Sequence, residues 1–164
     1  MQITNFKDMY MAELQELLSM EQQLSEALMR MAEAVSHPSL KDAFRRHQRQ
    51  TLAQADRLRS ILKEHKAEGE THTDQALQAM IKEAGKMIEM LKGDDLRDAG
   101  LLASAQKLEH YEIAAYGSVA ALAGQLELRD DQQLLHDSLE EEKRTDELLT
   151  SLAKGEINQD ALAA

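Results

Sequence analysis

Four acidic side chains stand where a helical bundle calls for leucine. In the series Tyr10, Leu14, Leu17, Glu21, Leu24, Leu28, Met31 and Val35, spaced alternately by four and three, Glu21 breaks an otherwise apolar seam. A second series, Leu101, Ala105, Leu108, Glu112, Ala115, Val119, Leu122 and Leu126, is broken at the same fourth place by Glu112. A third runs Leu135, Leu139, Glu142, Asp146 and Leu149, and a fourth Leu40, Phe44, His47, Thr51, Gln54, Leu58 and Ile61. An isolated ionised carboxylate in an apolar interior is costly, and neighbouring carboxylates add repulsion. Such a layer requires cations, shared protons or water.

The donor types narrow the choice. Carboxylates with a single imidazole form an oxygen-rich, nitrogen-poor set of the kind that holds iron or manganese between facing helices. Glu142 and Asp146, four apart, share a helix face and can chelate one ion, and His47 would supply the nitrogen. Glu109, one turn before Glu112 at the edge of its seam, completes the candidate ligands Glu21, His47, Glu109, Glu112, Glu142 and Asp146. The usual di-iron signature places Glu-x-x-His pairs on two helices, and this chain contains none, which points to a one-metal or atypical site. The competing reading is a metal-free bundle whose polar layer fixes helix register.

Other candidates have ordinary explanations. His37, His65, His72 and His136 lack comparable surroundings in the pattern, and His110 falls at the most outward position of its helix, exposed or at an oligomer contact. Tyr111 and Tyr116 flank the seam, where packing accounts for them and hydrogen bonding to a carboxylate is the alternative. The nine methionines occupy apolar positions and fill the core.

These positions must be carried by four long helices. "VSHPSLKDAF" ends one helix and starts another: Pro38 disfavours helix at His37, and Ser39 with Asp42 makes a capping-box pattern. The first two helices then span about 4–35 and 40–66. "EGETHTDQ" is a polar connection in which Thr73 can cap a shorter amphipathic helix, with Leu77, Ile81, Ala84, Ile88 and Leu91 on one face. That helix ends near Gly93, a residue suited to a left-handed conformation. Asp94 or Asp95 caps a third long helix reaching Glu127, and Asp130 a fourth reaching Lys154. Two helices, a crossover containing an extra helix, then two more give an all-α, ferritin-like four-helix bundle, with an up-down five-helix bundle as the alternative. One domain covers 1–155, and 156–164 form a mobile tail.

Composition sets the boundaries. One proline, no tryptophan, two phenylalanines and abundant Ala, Leu, Glu and Gln in 164 residues argue against strands and for helix. Without cysteine there is no disulfide, thiolate zinc site or iron–sulfur cluster. A net charge of −11 repels phosphate backbones and anionic lipid, so nucleic acid is a poor partner and cations a better one. No basic leader and no long apolar run precede or interrupt the pattern, which fits a cytoplasmic protein. Met80, Met87 and Met90 on the connecting helix supply apolar surface beyond the bundle core, consistent with a homodimer.

"SMEQQL", "FRRHQRQT", "SAQKLEHYEIAAYG" and "SLEEEKRTDELL" resemble the corresponding stretches of the YciF/YciE-type bacterial stress proteins of the ferritin-like superfamily. The resemblance covers nearly the whole chain. It implies a dimeric ferritin-like bundle with a proposed metal site, and by position Glu21, His47, Glu109, Glu112, Glu142 and Asp146 match that family's inward polar residues. Relatives carry His-Leu-Glu-Glu-Thr where this chain has "HQRQT", so Arg49 and Gln50 replace two carboxylates. The expected function is stress-associated iron or manganese binding. Ferroxidase or peroxidase chemistry, which needs two metals with open positions, ranks below both that and the structural reading.

Overall fold

A computed structural model describes residues 3–67 and 72–164; the "EGET" part of the expected polar connection lies outside them. Helices α1 (Phe6–Ala34) and α2 (Pro38–Glu64) pack along each other, as do α4 (Asp94–Gln125) and α5 (Arg129–Leu152). The two pairs meet through α2 against α5 and α1 against α4, with α3 (Gln75–Met90) in the crossover lying on α4 and α1. This is the all-α, ferritin-like bundle with one long crossover, and no strand occurs among the described residues.

Every seam position read for the first two helices is buried, from Tyr10 to Val35 and from Leu40 to Ile61. The later helices depart from the reading after their glutamates. In α4 the buried series continues through Tyr116, Val119 and Ala123 rather than Ala115, Leu122 and Leu126, and in α5 Thr145 is buried where Asp146 was expected. A straight helix of 3.6 residues per turn drifts by about 20° per heptad against a 3.5-residue repeat. In α4 and α5 the seam shifts by one position in that sense, whereas α1 and α2 bend with the original repeat from end to end.

The caps also differ. Neither Ser39 nor Asp42 caps α2; Pro38 takes the first helical turn, for which its fixed φ is suited, and His37 is the cap residue without a side-chain bond. The missing acceptor comes from α4: buried Asp98 accepts the backbone N–H of Ser36 at 2.9 Å and of His37 at 2.6 Å. Replacing Asp98 with alanine leaves two amides at the corner between α1 and α2 without their acceptor. We expect a loss of about 2 kcal/mol in urea unfolding, and an intermediate loss in Asp98→Asn, whose single carbonyl oxygen can serve only one of the two amides.

Asp74, rather than Thr73, caps α3 by accepting from Leu77 N–H at 2.8 Å. Its other carboxylate oxygen accepts from Tyr111 Oη at 2.8 Å, fastening the crossover to α4. Gly93 has φ +92 and is the cap residue of α4, while α5 begins at Arg129 with Asp130 and Asp131 in its first turn. After α5 come a π-helical turn, Ala153–Ile157, and a helix α6 (Asn158–Ala163), with Ile157 buried against the second helical pair. No helix among the described residues is long and apolar enough to cross a membrane.

Candidate metal centre

The four long helices each deliver polar groups to one level of the bundle. His47 of α2, Glu109 and Glu112 of α4 and Glu142 of α5 bring one ligand atom apiece within 4.8 Å of one another, all four buried. His47 Nε2 lies 2.9 Å from Glu109 Oε1, 3.6 Å from Glu112 Oε2 and 3.7 Å from Glu142 Oε2. Glu109 and Glu112 are three apart and Glu142 sits on the neighbouring helix, so one turn of α4 and one residue of α5 suffice to frame the imidazole.

Glu21 of α1 is also fully buried, beside these groups, and accepts a short hydrogen bond from Tyr116 Oη. Asp146 stands apart. Four residues along a helix advance it by about 6 Å beyond Glu142, and its Oδ1 faces His110 Nδ1 at 3.3 Å on the more exposed side of the α4–α5 groove. The expected chelation of one ion by Glu142 and Asp146 is therefore not what this geometry presents. His110 is exposed, as its outward position implied.

Burial and repulsion set the proton affinities here. Desolvation raises Glu112 from the usual 4.5 to about 7, with His47 pulling down and Glu109 pushing up. Desolvation and the Glu112 charge hold Glu21 and Glu142 well above the ordinary carboxylate range. For His47, burial disfavours the imidazolium, but the charges of Glu109 and Glu142 outweigh it and raise the group well above 6.5. Without a cation, the cluster holds protons that an exposed set would release.

Many of its polar atoms nevertheless have no hydrogen-bond partner. His47 Nδ1, Glu109 Oε2, both oxygens of Glu112, Glu142 Oε2 and Glu21 Oε2 are buried without a well-formed hydrogen bond, and His47 Nε2 has only the ion-pair contacts given above. Buried polar atoms are normally paired, and here the unpaired ones are predominantly carboxylate oxygens converging on one imidazole. That arrangement fits a cation: it would satisfy the orphaned oxygens and offset the charge at once. Hard oxygens with one nitrogen and no sulfur fit a first-row divalent ion better than a soft one.

Two neighbours acquire roles that periodicity did not assign. Gln54 appears in the sequence seam merely as a polar core residue, yet its Nε2 donates to Glu142 Oε1 and, at 3.1 Å, to Glu141 Oε2. Tyr116 was read as flanking the seam, with a hydrogen bond to a carboxylate as the alternative, and it is fully buried and bonded to Glu21. The signal for Gln54 was present: a long polar side chain that follows His47 and Thr51 in the same seam before it turns apolar again at Leu58.

A protein-family model described as a domain of unknown function, DUF892, matches residues 5–162. The chain belongs to the DUF892 family. This DUF892 protein is 39% identical to Protein YciF of Escherichia coli K12 over 162 residues, 98% of each chain. It superposes on the crystal structure of the E. coli stress protein YciF with a TM-score of 0.90, covering 95% of this chain and 99% of that one. YcfI of Rhodopseudomonas palustris, for which a structural role has been suggested, is 30% identical with a TM-score of 0.89, over 92% and 96% of the two chains. A protein of Xanthomonas campestris at 19% identity and a TM-score of 0.75, with 92% of each chain covered, shares the fold. The resemblance read from "KLEHYEIAAYG" and "LEEEKRTD" thus holds over the full bundle of this DUF892 member.

Proposed function

We propose that this chain binds iron or manganese through His47, Glu109, Glu112 and Glu142, with Glu21 as the adjoining carboxylate. The single observation that carries this reading is the convergence of buried, unbonded carboxylate oxygens on an imidazole in one layer. Three carboxylates against one histidine give an excess of negative charge that only protons or a cation can offset. Such an ion, when bound, supplies Lewis acidity and one-electron redox capacity. The chain's own groups hold the site: Tyr116 orients Glu21, Gln54 holds Glu142, and the surrounding leucines limit water.

The E. coli relative's description as a stress protein supports a role for this cation site in a stress response. Exposed Met90 and half-buried Met80 and Met87 on α3 support pairing with a second copy through that helix. The alternative, a metal-free bundle with a register-setting polar layer, draws on the hydrogen bonds that Glu21 and Glu142 already receive and on the structural role suggested for YcfI.

Elemental analysis of untagged protein purified without chelator, and again after anaerobic loading with Fe(II) or Mn(II), separates the two. We expect about one to two ions per chain in the wild type, lost in His47→Ala and kept in Asp146→Asn. An unmetallated wild type after loading would establish the structural alternative.

A further inference from the structure

Gln54 contacts none of the imidazole's ion-pair partners except Glu142, yet it is fully buried and both of its hydrogen-bonding N–H directions are used. One is spent on Glu142 Oε1 and the other on Glu141 Oε2. In this orientation the amide donates to both carboxylates, while its own Oε1 is buried without a partner. Behind it stands an anchor: Arg57 grips Glu141 with two bonds, Nη1 to Oε2 at 2.6 Å and Nη2 to Oε1 at 2.8 Å, and also reaches Ser138 Oγ at 3.1 Å. A continuous polar chain, Arg57 to Glu141 to Gln54 to Glu142, therefore runs from the partly exposed α2–α5 groove to the metal cluster.

The consequence falls on Glu142. Its Oε1 is taken by the amide, whereas its Oε2 has no hydrogen-bond partner and lies 3.7 Å from His47 Nε2. We propose that Gln54 is a positioning residue that makes Glu142 a one-oxygen donor and, being neutral, keeps a further carboxylate out of the cluster. This rests on the metal-binding reading above. A methionine at 54 would fill the same volume but free Oε1, and a glutamate would place a third carboxylate against Glu141 and Glu142. Partners that orient metal ligands typically change affinity by about 10–100-fold when removed.

The test uses full-length protein and Mn(II) alone as probe, with two independent readouts. In chelator-treated protein, the Gln54 side-chain amide protons should exchange slowly with solvent, and their NMR resonance should move in Glu142→Gln. Fast exchange, or no movement, overturns the positioning role whether or not metal binds. In Mn(II) titrations, Gln54→Met should keep the wild-type stoichiometry while weakening affinity by about 10–100-fold and changing the Mn(II) paramagnetic resonance spectrum. Arg57→Met, one step further out and partly exposed, should produce a smaller weakening with the same sign and guards against a Gln54 variant that folds poorly. Unchanged affinity and spectrum in a folded Gln54→Met protein would make Gln54 a packing residue. A wild type that shows the protected amide but takes up no Mn(II) would instead overturn the metal reading and, with it, the donor role of Glu142.

Discussion

Glu112→Gln is expected to lose tight binding of the cation and, measured without metal at pH 8, to be more stable than the wild type. Both oxygens of Glu112 are buried and unbonded, and its carboxyl is raised to about 7 by burial. At pH 8 the wild type must keep this group ionised next to Glu109, Glu142 and Glu21, whereas the amide carries no charge. His47 still has Glu109 at 2.9 Å and Glu142 at 3.7 Å, so the substitution does not strand the imidazole. Replacing a poorly compensated buried charge by a neutral group of the same shape gains about 1–3 kcal/mol. Denaturant unfolding with chelator present, at pH 8 and pH 5.5, checks this directly. The gain should be clearly smaller at the lower pH, where folded wild-type Glu112 is protonated, and should vanish only below its unfolded value of 4.5. A variant less stable than wild type at pH 8 would show that the contact of Glu112 with His47 outweighs the cost of burying its charge.

The second large effect is the pH dependence of the metal-free protein. Glu21, Glu142 and His47 are all raised well above their ordinary values, and Glu112 to about 7. A group whose folded value lies above its unfolded value gives stability that is complete below the unfolded value and is lost as pH rises through the folded one. All four therefore act in the same direction. For Glu112 the window runs from 4.5 to about 7, and His47 extends it upward from 6.5. With chelator present, the melting temperature should fall by several degrees between pH 6 and pH 8, since about 1 kcal/mol moves it by roughly 2–4 °C in a chain of this size. Saturating Mn(II) should reverse the slope, because ligands must give up protons to hold the ion. A metal-free protein that is firmer at pH 8 than at pH 6 would contradict the raised proton affinities.

The long-range features of this chain were legible because they repeat. The four-and-three spacing of α1 and α2 survives without a slip from end to end, and it placed Glu21, His47, Thr51 and Gln54 correctly in the interior. In α4 and α5 the same spacing held up to Glu112 and Glu142 and then drifted, so Tyr116 and Thr145 replaced Ala115 and Asp146. Asp146 was attractive as a ligand because residues four apart share a face, but sharing a face does not bring two carboxylates to one level. The trans-acting contacts were illegible for a different reason. Asp98 serves Ser36 and His37 across some sixty residues, and Gln54 meets Glu142 across more than eighty, so no local pattern marks either. Local signals such as Ser39 with Asp42 pointed to a self-contained cap that the folded chain does not use.

The order of the cluster's residues along the chain has a consequence for biosynthesis. Its ligand groups come from positions 47, 109, 112 and 142, and the corner after α1 waits for Asp98 to close it. A ribosome adding about 5–20 residues per second exposes the first helical pair seconds before the second. During that interval Glu21 and His47 have water, rather than each other's partners, around them. A cation held by all four of these groups would therefore have its full set of donors only once α5 has been made.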